Sequence, residues 1–97
     1  VSRLIVTEHG ARGLARCRKF LAAENAIAAE RAALRIERSF RLLQASPHIG
    51  RPYRGFPAMR ELIIPFGHTG YVAVYRYEES LDTVFIVAFR HMREAGY

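Results

Sequence analysis

Apolar residues recur with three different rhythms along this chain. Arg3-Leu4-Ile5-Val6-Thr7 is a short run with β-branched residues that ends at a polar break, the pattern of a first strand. From Glu8 to Ala23 the spacing becomes helical, with Leu14, Cys17, Phe20 and Leu21 on one face. Thr7 is suited to cap this helix, and Glu8 lies favourably in its first turn. Gly10 and Gly13 weaken it, so tertiary packing has to hold it. Asn25 is a break. A second helix is predicted over Ala26–Gln44, where Ala29, Ala33, Ile36, Phe40 and Leu43 repeat at four-and-three spacing. It ends before Ser46-Pro47, because the residue preceding a proline is pushed out of helical geometry. Arg31, Arg35 and Arg38, with Arg41 nearby, form a second stripe on this helix and read as a solvated face.

Beyond Pro57 the rhythm is that of strands. Met59–Ile64, Tyr71–Tyr77 and Thr83–Arg90 are the three runs, joined by turns at Gly67-His68-Thr69-Gly70 and Glu78-Glu79-Ser80-Leu81-Asp82. Connections this short make the three an antiparallel meander. The predicted order is β-α-α-β-β-β, an α+β domain whose helical hairpin covers one face of a small antiparallel sheet. A chain of 97 residues makes one such domain. Between helices and meander lies Pro47–Pro57, rich in proline and glycine. A connection of that length points to function. Its Arg51, Tyr53 and Arg54 supply cation, stacking surface and cation, while packing of Pro52, Tyr53 and Phe56 onto the sheet explains it equally well.

Charge narrows the partners. The formal net charge is +6, and Lys19 is the only lysine among the cations. Arginine's planar fork grips phosphate or carboxylate with two bonds, so nucleic acid or an acidic protein is the partner class; plain solubility is the alternative. Strand alternation puts Val72, Val74 and Arg76 on one face of their strand, and Val84, Ile86, Ala88 and Arg90 opposite Phe85, Val87, Phe89 and His91 on the next. Antiparallel pairing then predicts Arg60 beside Arg76 at one end of the sheet, and Arg90 with His91 at the other. Either cluster can be structural. His9, His48, His68 and His91 have no metal-ligand spacing, no serine sits in a nucleophile turn, and there is no glycine-rich phosphate loop. No metal or cofactor is expected. The lone Cys17 allows no intramolecular disulfide, no run is long enough to span a membrane, and the apolar N-terminal run is too short for a secretory leader; a cytoplasmic protein is expected.

Pro47-His48-Ile49-Gly50-Arg51-Pro52, Arg60-Glu61-Leu62, Tyr71–Tyr77 and Val84–His91, in that order behind a helical hairpin, resemble the RelE/ParE superfamily of toxin–antitoxin modules. The resemblance spans nearly the whole chain. It implies a toxin held inactive by a cognate antitoxin whose C-terminal segment wraps the toxin. It also implies one of two targets. The ParE-like branch inhibits DNA gyrase without being an enzyme; the RelE-like branch cleaves mRNA in the ribosome. For cleavage the matching positions are Arg51 or Arg54 in the loop, then Arg60, Arg76, and His91 or Tyr97. For target binding they are Arg51, Arg54, Arg60, Arg76, Arg90, His91 and Arg93. The loop lacks the lysine of the nuclease pattern, and His91 and Tyr97 are not adjacent, so gyrase inhibition is the favoured expectation. A non-toxic binding relative is the third class.

Overall fold

The computed structural model describes residues 1–94; Tyr97 lies outside the described residues. The elements are β1 (Arg3–Val6), α1 (Glu8–Glu24), α2 (Ala26–Ala45), β2 (Arg51–Tyr53), β3 (Phe56–Phe66), β4 (Thr69–Glu78) and β5 (Thr83–His91). The predicted β-α-α-β-β-β order is present, and a short extra strand, β2, has formed inside the proline-rich connection. The sheet order is β1-β5-β4-β3-β2. β2 to β5 pair antiparallel, whereas β1 runs parallel to β5, with Arg3 opposite Thr83 and Val6 opposite Ile86.

Local chemistry sets the helix ends. The Thr7 hydroxyl accepts from the Gly10 N–H at 3.2 Å and donates to the Ile86 carbonyl at 2.9 Å, so one side chain caps α1 and ties it to the sheet. Asn25 closes α1 through its own N–H to Leu21 and opens α2 by accepting from the Ala28 N–H. Gly10 and Gly13, which looked like weaknesses, are the contact. β1 stops pairing with β5 at Ile86, and from there α1 lies directly against the backbone of β5. A Cβ on Gly10 would sit 2.4 Å from the Ile86 carbonyl oxygen, and one on Gly13 2.1 Å from that of Phe89. Only glycine permits that approach.

The helices cover one face of the sheet. Cys17, Ala32, Leu43, Ile64, Tyr71, Ala73, Tyr75, Val84, Ile86 and Phe89 are buried there. Tyr71 stacks on Phe89, which meets the edge of Phe40. Phe20, expected on the buried face of α1, is instead 67% exposed. Arg35 is exposed as expected and also donates to the Pro65 carbonyl at 2.9 Å. The opposite, uncovered face carries a smaller cluster of Val72, Val74 and Ala88, with Tyr53, Met59, Ile63 and Val87 packed around it.

A bulge in β5 decides which residues belong to which face. Val74 opposes Ala88 and Tyr75 opposes Ile86, so Val87 is the extra residue. The expected alternation therefore fails halfway along: Val84 and Ile86 face the helices, Ala88 and Arg90 face away from them, and Phe89 and His91 return to the helical side.

Candidate functional site

The uncovered face gathers three of the predicted arginines. Arg51 on β2 is opposite Glu61 on β3, which is opposite Val74 on β4, which is opposite Ala88 on β5. Arg51 Nε donates to Glu61 Oε1 at 2.6 Å, and the Glu61 side chain is only 14% exposed. Arg76, two residues along β4, lies over the Phe85 ring with its guanidinium carbon 4.5 Å from the centroid, and also reaches Glu78 at 3.4 Å. Arg90 is opposite Val72, four residues along β4 from Arg76. That is about 13 Å at the rise of a strand. Arg90 hydrogen-bonds the carbonyls of His91 and Met92, both at 3.3 Å. The face is thus an apolar floor with Arg51 and Arg76 towards one end and Arg90 at the other. Arg54 is exposed in the β2–β3 turn, next to Gly55 at a φ of +85°.

Arg60 does not join this face. It is opposite Tyr75, whose ring is buried under the helices, so Arg60 and Arg76 are neighbours in the sheet with side chains on opposite sides. Arg60 Nη1 donates to the Gly50 carbonyl at 2.7 Å. The Tyr75 hydroxyl donates to the Pro47 carbonyl at 2.8 Å and accepts from the Gly50 N–H at 2.9 Å. Together they brace the proline-rich segment from beneath and set the position at which Arg51 enters β2. Burial pushes the Tyr75 phenol above its ordinary range, keeping it a neutral donor.

His91 is likewise on the helical side, edge-on to Tyr71. Its Nδ1 accepts from the Arg93 N–H at 3.1 Å, which places the ring proton on Nε2, 2.9 Å from the Thr69 hydroxyl. Both ring nitrogens are therefore used within the fold; His91 stays beside Arg90 at this end of the sheet, on the opposite face by strand alternation, and the bulge decides that Arg90 takes the open side. His91 and Arg93 border a separate groove of about 780 Å³ lined by Phe20, Leu21, Phe66 and Tyr71. Glu94 closes one side of that groove through Arg16 at 2.8 Å. Burial raises the Glu94 carboxyl, but hydrogen bonds from Arg16 and the His91 N–H outweigh it, and the group titrates below its ordinary value. Cys17 beside it is pushed up to about 11 by burial first and Glu94 second, so it stays a thiol.

Tyr75, Phe85 and Glu61 were not singled out as site residues in the sequence. The hairpin register that brings Arg51 to Glu61 was hidden because β2 is only three residues long. Among the described residues no group of histidine, cysteine and acidic side chains is placed to hold a metal ion, and no helix is long and apolar enough to cross a membrane.

A family model for the ParE toxin of the type II toxin–antitoxin system parDE matches residues 4–96. The chain belongs to the ParE toxin family. That family is the toxin component of a type II toxin–antitoxin system. Solved structures share the fold across nearly the whole chain. A chain of the intact E. coli RelBE toxin–antitoxin complex aligns with a TM-score of 0.65 at 19% identity, covering 97% of this chain and 100% of that one. The isolated E. coli RelE toxin aligns with a TM-score of 0.65 at 20% identity, covering 98% and 88% respectively. No curated protein matches the sequence.

Proposed function

We propose that this ParE-family toxin arrests growth by docking the uncovered face of its sheet on DNA gyrase, without chemistry of its own. The observation that carries this reading is the division of the candidate groups between two faces. General acid–base cleavage of RNA needs a base at the 2′-hydroxyl and an acid at the leaving oxygen, within hydrogen-bond reach of the same phosphate. His91 is turned to the helical side with both nitrogens engaged. Arg60 is also on that side, bonded to Gly50. Arg51, Arg76 and Arg90 remain on the open face, where they suit electrostatic and apolar docking to a macromolecule.

Ribosome-dependent mRNA cleavage is the second reading, and one feature favours it. Glu61 is a carboxylate on the open face, bonded to Arg51 on the same side of the sheet as Arg76, so a base and phosphate-binding cations share a surface. Two assays separate the readings. Expression of the toxin alone stops growth, and co-expression of the antitoxin restores it. Purified toxin then inhibits gyrase supercoiling and leaves mRNA on programmed ribosomes uncut. Cut mRNA with unaffected gyrase transfers the assignment to the nuclease reading.

A further inference from the structure

At the β2–β3 end of the open face, Tyr53 and Phe56 stack with ring centroids 5.4 Å apart and planes within 25°. Phe56 is 53% exposed, an unusual position for a large aromatic side chain. The two rings form one wall of a depression of about 170 Å³ whose other walls are Met59, Val74, Val87, Ala88 and His9 from the first turn of α1. The β5 bulge builds it, because it turns Val87 and Ala88 towards the same side. The volume is that of a single large side chain. The arginines near it, Arg54 in the turn and Arg51 and Arg76 on the same face, outnumber the carboxylates Glu61 and Glu78 that pair with Arg51 and Arg76. The neighbouring carboxylate on this floor, Glu61, is already bonded to Arg51.

We infer that this depression is a socket for one apolar or aromatic side chain flanked by carboxylates, presented by the toxin's protein target. The inference rests on the reading of the open face as the target-docking surface and names its anchor point. An aromatic pocket with a cationic rim supplies the two terms that concentrate binding energy in an interface: a desolvated anchor, and charges that select an acidic surround. A nucleobase flanked by phosphates is the competing occupant.

The test uses the full toxin and three probes: purified DNA gyrase, an acidic heptapeptide with a central phenylalanine, and single-stranded oligoadenylate RNA. Phe56→Ala is exposed enough to leave the fold intact, which the melting temperature checks; Met59→Ala is the second variant. The expected result is that each variant weakens gyrase binding at least about tenfold, and that the peptide shifts the Met59 methyl resonance saturably in the wild type but not in Phe56→Ala. Gyrase binding unchanged in both variants overturns the socket. So does a Met59 shift produced by the RNA and not by the peptide. If the wild type fails to bind gyrase, the proposed target falls while the peptide titration still decides the socket.

Discussion

The two faces of the sheet are built from the same three long strands and serve opposite ends. On the helical side the polar groups are consumed: Tyr75, Arg60 and His91 each bond backbone or side-chain partners within the fold. On the other side the cluster is smaller, its largest apolar contributors are partly exposed, and its arginines meet a neighbouring ring, nearby carboxylates and local carbonyls. The contrast teaches that the sign of a residue says little until its face is known. Arg60 and Arg76 are alike in sequence and adjacent in the sheet, yet one is a brace and the other is available to a partner.

The sharpest way to break this contrast is at the contact that holds the helical side in place. Gly13→Ala puts a methyl 2.1 Å from a backbone oxygen that cannot move without carrying β5 with it. We expect a loss of about 3 kcal/mol or more, read by denaturant titration, with growth arrest abolished through unfolding. Tyr75→Phe comes next. It strands the Gly50 N–H and the Pro47 carbonyl, and we expect a loss of about 2 kcal/mol with the proline-rich segment loosened, read as faster amide exchange at Gly50.

Arg76→Ala reverses the pattern. Its ring contact and surface ion pair contribute about 1 kcal/mol or less, so the melting temperature shifts little while growth arrest is lost. A variant that unfolds instead would show Arg76 to be a structural residue like Arg60.

The smallest effect is a pH dependence. Asp82 accepts from Ser2 Oγ at 2.6 Å and Tyr77 Oη at 2.7 Å, and these bonds, Ser2 first, hold its carboxyl below the ordinary range. Its folded value therefore lies below its unfolded one. The stabilisation is complete above the ordinary aspartate range and disappears as pH falls through the depressed folded value. Ser2→Ala should lower stability at neutral pH, flatten the acid limb in that window, and have least effect below the depressed folded value. An acid limb unaltered by the substitution would mean that other carboxylates control it.

Periodicity carried much of this structure into the sequence. The stripe Ile36, Phe40 and Leu43 and the meander with its short turns declare themselves because burial on one face imposes a repeat. The parallel pairing of β1 did not, since four residues encode no register. The meaning of Gly10 and Gly13 was also hidden. A glycine in a helix reads as lost stability until the opposing backbone is known. The bulge at Val87 was the costliest omission, for it is set by the pairing of β5 with β4 and leaves the alternation of apolar residues looking regular. That one extra residue exchanged the faces of Arg90 and His91, turning the arginine to the open side and the imidazole to the helical side. Glu61 was legible as an acid, but the sequence offered no way to know that Arg51 would be folded back against it.

The borders of the sheet have a consequence of their own. One ends in the four residues of β1 and continues as α1 lying on β5; the other is the three-residue β2 with Pro52, followed by the stretch of β3 that contains Pro65. Neither side presents a long unbroken row of amide donors on which a neighbouring molecule could add a ladder. A perimeter of this kind keeps the molecule dispersed rather than fibrous.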